Sequence, residues 1–193
     1  MRFALKLLLH ICCAPCTCYT LDKLRGDGFF VTGYWFNPNI HPYKEYLNRL
    51  ETLKLFAKKV SLELVAYDEY NILHFMEMIR GKEAYRVRCE RCYLWRLTKA
   101  VEYAAKNGYE FFTTTLLYSK YQAHDKVKEI CEDLSSKFGV KFYYDDFRKG
   151  WLDGIRMSRQ FGLYRQSYCG CILSEEEALR DRRMVGDLGS RNL

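Results

Sequence analysis

The chain has 193 residues, 49% of them hydrophobic, which suits one domain with a sizeable core and no need of disulfide staples. Its nine cysteines fall below the density of a disulfide scaffold and are odd in number, so a reducing cytoplasm is the expected compartment. The formal charge of +7, with 16% aromatic residues, suits an anionic partner such as RNA; a mildly basic solvated surface around a Tyr-rich core remains the plainer reading.

In chain order, residues 5–11 form a short apolar run ending at the turn Cys12-Cys13-Ala14-Pro15-Cys16. The charged start and apolar run of residues 1–12 also fit a lipoprotein leader. Lys6 inside the run, His10 after it and a second cysteine-rich turn speak against that, and nothing later reaches the ~18 apolar residues of a membrane span. Pro15 supplies a helix start, with Gly26 and Gly28 as the stop. A strand at 29–36 leads through Asn37-Pro38-Asn39-Ile40-His41-Pro42 into a helix at 43–60, then a strand at 62–67 and a helical stretch at 72–80. The pair Cys89-Glu90-Arg91-Cys92 precedes a helix with Leu94, Leu97, Val101 and Ala104 at core spacing. A strand at 110–116, a helix at 120–138, a strand at 140–144 and a helical C-terminal third carrying Cys169-Gly170-Cys171 complete the chain. Five strands joined by helices predict an α/β fold with a doubly wound parallel sheet, residues 1–193 forming a single domain.

Most of the cysteines fall in three tight clusters, a pattern of metal or redox chemistry, because a short loop then places two sulfurs on one ion or cluster. Adjacent Cys12 and Cys13 cannot readily chelate one zinc without strain but suit neighbouring irons of a polynuclear cluster. Cys16 stands at ligand spacing from Cys13, either as a metal ligand, replacing one of the others or binding a second iron, or as a free thiol at a helix N-terminus. Cys18 and Cys131 read as packed core thiols. Cys169 and Cys171, one residue apart, fit a pair that cycles between dithiol and strained disulfide, with two further metal ligands as the alternative.

In such sheets ligands bind beyond the carboxyl ends of the strands, where strand order reverses. The Cys12 turn, Thr113-Thr114-Thr115, Asn37-Pro38-Asn39 and Asp145-Asp146 all belong to that edge, so three distant clusters are expected in one pocket. Asp145 and Asp146 there are candidates to ligate iron or donate a proton, or else helix caps. Arg165 is a candidate clamp for a phosphate or the substrate, with Tyr164 or Tyr168 stacking on a base; a buried structural Arg is the competing role. The four histidines share no metal-type spacing, and His10 reads as a core histidine beside the turn.

Five ordered motifs, Leu8-Leu9-His10-Ile11-Cys12-Cys13-Ala14-Pro15-Cys16, Phe36-Asn37-Pro38-Asn39-Ile40-His41-Pro42, Arg88-Cys89-Glu90-Arg91-Cys92-Tyr93, Phe112-Thr113-Thr114-Thr115-Leu116-Leu117 and Tyr164-Arg165-Gln166-Ser167-Tyr168-Cys169-Gly170-Cys171, together resemble the QueH-type epoxyqueuosine reductases. The resemblance implies two-electron reduction of epoxyqueuosine to queuosine at the wobble position of a tRNA anticodon. It further implies a 4Fe-4S cluster on Cys12, Cys13, Cys89 and Cys92, a redox-active pair at Cys169 and Cys171, and an external electron donor. A zinc-dependent RNA-binding module is the alternative. The strand-turn-helix start also resembles nucleotide alpha-hydrolase-like (HUP) domains, which would admit an adenylating sulfur-transfer enzyme. That class wants a Ser/Gly-rich phosphate loop after strand one, where this chain has Cys-Cys-Ala-Pro-Cys.

Overall fold

The computed structural model describes residues 5–190, with side chains described through Asp181. Residues 1–4 of the leader-like stretch therefore lie outside the described residues, and the remainder of its apolar run is strand β1 (Leu5–His10). The other strands are β2 (Phe29–Trp35), β3 (Glu63–Ala66), β4 (Phe111–Thr114) and β5 (Lys141–Phe142). They form one sheet in the order β3-β2-β1-β4-β5, every pairing parallel. Leu7, Leu8 and Leu9 of the central strand are fully buried, as a strand covered on both faces requires.

Helices α1 (Ala14–Gly26), α2 (Tyr43–Lys59) and α6 (Trp151–Gln160) pack together, while α4 (Val87–Lys106) packs with α5 (His124–Phe138) and with the short α3 (Ile72–Ile79). α7 (Ile172–Ser190) follows the last cysteine pair. The α/β doubly wound architecture is as the sequence predicts, and it is consistent with a HUP-like fold.

Several boundaries differ, β5 among them at Lys141–Phe142 rather than 140–144, and three of the others stand out. β4 stops at Thr114 because that side chain accepts the Leu116 amide at 3.1 Å and turns Thr115–Leu117 into a 3-10 segment. α5 starts at His124, not 120, since Ser119 holds the preceding turn through the Tyr121 and Gln122 amides at 3.3 Å each. α4 starts at Val87 and takes Cys89 and Cys92 into its first turns; these two residues are helical, three positions apart on one face. Its N-cap, Arg86, has φ 74, a left-handed conformation uncommon for a residue with a side chain.

Strand order reverses between β1 and β4, and the crevice beyond their carboxyl ends is where the Cys12 turn and Thr115 emerge.

Candidate active site

Cys12 leaves the end of β1 and Cys13 caps α1 in an extended conformation, with Pro15 in the first turn. The sulfurs of Cys12, Cys13 and Cys16 all lie within 4.8 Å of one another, and those of Cys12 and Cys13 are 3.8 Å apart. Two thiolates on one tetrahedral ion with bonds of ~2.3 Å sit about that far apart. Adjacency in sequence therefore does not bar the pair from sharing an ion, and Cys16 completes a three-sulfur group.

Thr115 ties this group to β4: its hydroxyl accepts the Cys12 amide at 2.9 Å and donates to the Cys12 sulfur at 3.2 Å. Hydrogen bonds from Cys13 and Cys16 hold the Cys12 thiol well below its usual range against the opposing effect of burial, with the nearby Arg96 charge and Thr115 assisting. Cys16 is raised because its proton is shared with those neighbouring sulfurs, and Cys13 is raised by burial. One thiolate with two protonated neighbours is a set that loses protons on taking a metal. Gln166 donates to the Cys13 sulfur at 3.0 Å.

The other two cysteine pairs meet each other. Cys89, Cys92, Cys169 and Cys171 line a small cavity together with Asn39 and Arg88. Burial pushes the Cys92 thiol up to about 12. Cys169 is exposed and Cys171 buried, and all nine cysteines are free. Gly170 between them has φ +148, a conformation closed to residues with a side chain.

This turn is held from α2. Arg49 donates to the carbonyls of Cys169 (2.8 Å) and Tyr168 (3.1 Å), while its Nε donates to Glu45 at 2.6 Å. The Tyr164 hydroxyl donates to the other Glu45 oxygen and the Tyr168 hydroxyl to the His41 carbonyl, each at 2.5 Å. The His41 amide in turn donates to the Gly170 carbonyl at 2.8 Å. The two tyrosines read as base-stacking candidates thus have their hydroxyls engaged in supporting the Cys169 turn, and the Tyr168 ring lies beneath Arg49 at 5.4 Å.

Above both groups opens a cavity of about 500 Å³, reached by Cys12, Cys16, Arg49, Arg96, Arg165 and Cys169. Cys169 borders this cavity and the small one, so it stands between the Cys12 group and the Cys89 pair.

Asp145 and Asp146 line neither cavity. Asp145 faces Lys23 and Lys149 at 3.7 Å each; Asp146 binds Arg148 through both oxygens at 2.7 Å and caps the 3-10 turn Phe147–Gly150. The reason is strand order: β5 is the edge strand and ends at Phe142, one strand removed from the crevice. The capping role therefore holds for Asp146. His10 is a buried core histidine bound to Thr114 at 2.8 Å, its pKa lowered to about 3 chiefly by burial and then by Arg96. Cys18 and Cys131 are packed in the core.

Arg49 and Arg96, each 3% exposed, are absent from the residues that sequence reasoning singled out. The available signal was their position, since both are charged residues on the inward stripe of an amphipathic helix.

A family model described as epoxyqueuosine reductase QueH matches residues 7–177, a span that contains all three cysteine clusters. The chain belongs to the QueH epoxyqueuosine reductase family. A QueH relative from Dehalococcoides mccartyi is 38% identical over 172 residues, covering 89% of this chain and 93% of that protein. One from Thermotoga maritima is 37% identical, covering 86% and 88%, and one from Haemophilus influenzae 35%, covering 94% and 76%. Each bears the name epoxyqueuosine reductase QueH, so this QueH member is an oxidoreductase. Among the described residues no helix is long and apolar enough to cross a membrane.

Proposed function

We propose that this chain reduces epoxyqueuosine to queuosine in the wobble position of tRNA, the last step in making that base. Family membership over residues 7–177 supports the reading, and the observation that carries it is that Cys169 borders both the cavity reached by Cys12 and the one lined by Cys89 and Cys92.

The thiolates of Cys12, Cys13, Cys89 and Cys92 would hold a 4Fe-4S cluster, with Cys16 available to a second, mononuclear iron. Soft sulfur donors and the readily deprotonated Cys12 group fit such a centre. When bound, it supplies electrons and a Lewis acid to activate the C–O bond.

Cys169 and Cys171 act as the redox pair. Two thiols give up two electrons and two protons and close one S–S bond; the epoxide takes up two electrons and two protons, loses its oxygen as water and becomes an alkene. An external electron donor then reopens the disulfide. Arg165, at the large cavity, binds the substrate, with Tyr168 beside it and Tyr164 supporting the turn through Glu45. We further assign the whole chain to a single reductase domain. Nine free thiols favour a reducing cytoplasm as its compartment.

The test is the visible spectrum and metal content of protein purified without oxygen, together with epoxide reduction on tRNA. A broad absorption that bleaches with dithionite, lost along with iron and activity in Cys89→Ala, is the expected result; full iron and activity in that variant overturns the ligand assignment. A second reading has its own observation. The 3.8 Å separation of the Cys12 and Cys13 sulfurs, with Cys16 close by, also suits one tetrahedral zinc in an RNA-binding module. A colourless protein carrying one zinc and no reductase activity selects it.

A further inference from the structure

Three arginines are deeply buried, and two of them have carboxylate partners: Arg49 pairs with Glu45 and Arg88 with Glu177. The third, Arg96, forms no ion pair among the described residues. Its Nη2 donates to the Asn37 side-chain oxygen at 2.5 Å, its Nη1 reaches the Cys92 sulfur at 3.9 Å, and its Nε has no hydrogen-bond partner. A guanidinium cannot shed its charge, and a buried charge without a partner is strongly unfavourable. Among the described residues Arg96 therefore has no carboxylate to balance it, and the groups placed to do so are the cysteine sulfurs around it.

Its surroundings are sulfur. Arg96 stands one helical turn after Cys92 on α4 and shares the large cavity with Cys12, Cys16 and Cys169. Residues from all three cysteine clusters thus surround one cation. The charge is also fixed in place: Asn37, itself fully buried, donates to the Ile11 carbonyl at 2.8 Å while accepting from Arg96, which couples the guanidinium to the backbone just before Cys12.

We infer that Arg96 is the resident counter-charge of the thiolate centre formed at these clusters, and that it sets the centre's reduction potential. The inference rests on the reading of that centre as metal-bearing. Thiolates around an iron-sulfur centre carry net negative charge, and a fixed cation with N–H donors beside the sulfurs stabilises the more negative, reduced state. Arg96 is thus a positioning and electrostatic residue that acts through the centre. Its depth and its sulfur contact set it apart from Arg165, which is exposed at the same cavity.

The experiment uses anaerobically purified Arg96→Met and Arg96→Lys proteins, with iron and sulfide per chain, a dye-mediated potential titration followed by EPR, and the KM for tRNA. The Lys variant is expected to keep iron and titrate close to wild type. The Met variant is expected to hold iron yet titrate at a more negative potential with KM unchanged. A Met variant with the wild-type potential overturns the inference, and so does a raised KM with unchanged potential, which would assign Arg96 to a substrate phosphate. If the Met variant does not hold the centre, Asn37→Ser decides, because it unties the guanidinium while leaving its charge. A lowered potential supports the inference and an unchanged one overturns it. If the wild type itself carries zinc, the cluster reading fails separately, and release to a chelator becomes the readout: faster release from Arg96→Met supports the counter-charge, and an unchanged rate overturns it.

Discussion

Arg49 in α2 and Cys169 lie 120 positions apart in sequence, and the guanidinium of the first donates to the main-chain carbonyl of the second at 2.8 Å. The Cys169 turn is therefore built on a helix from the opposite half of the chain. Arg49→Met removes both carbonyl contacts and leaves the Glu45 carboxylate buried without its cation, a loss of about 3–5 kcal/mol by the usual cost of breaking a buried pair. Urea unfolding measures it. Arg49→Lys should fall between, since an ammonium cannot reach two carbonyls and a carboxylate in one plane.

For the cysteine pair, Cys169→Ser and Cys171→Ser should keep the fold and the visible chromophore yet lose multiple-turnover reduction, because only the exchangeable disulfide is gone. Iron analysis beside a turnover assay separates the outcomes. Loss of iron from either variant would make the pair metal ligands.

Affinity for tRNA should fall with salt along a nearly straight log-log line, as counterion release from phosphates requires of a basic protein. Filter binding across a salt series checks it, and a flat line would remove the phosphate-tracking surface.

Stability should fall as pH is lowered from neutrality. Burial beside the Tyr70 and Phe75 rings lowers the His41 pKa from 6.5 to about 4. Between those values the unfolded chain holds the proton and the folded chain does not, so stability is complete above about 6.5 and is lost as pH falls toward 4. The full effect is on the order of 3 kcal/mol. His41→Gln should flatten this slope in thermal melts, with His10 leaving a residual slope of the same sign.

Much of the scaffold was legible. The run through Leu7, Leu8 and Leu9 reads as a strand, and the rule that ligands gather beyond the carboxyl ends of the strands put the Cys12 turn and Thr115 at the crevice where strand order reverses. What escaped depends on partners far away in sequence. Asp145 and Asp146 were drawn toward the crevice because strand order, which puts β5 at the edge, is not written in any local pattern. The early start of α4 at an Arg86 of positive φ carries no Gly or Pro signal. Arg49 and Arg96 resemble ordinary surface charges until their place among Tyr46, Leu50 and Leu53, or Leu97 and Ala100, is weighed.

The bond between the Cys12 amide and the Thr115 hydroxyl bears on what this corner of the sheet can hold. A loop that cradles a phosphoanhydride must turn several free amides toward it. Here one amide is already occupied by a side chain from β4's end, and Pro15 contributes none. Nucleotide binding here would thus need coordinated replacement at two segments 103 positions apart, one following β1 and one following β4, so grafting a glycine-rich loop after β1 alone would leave the Thr115 hydroxyl in the cradle.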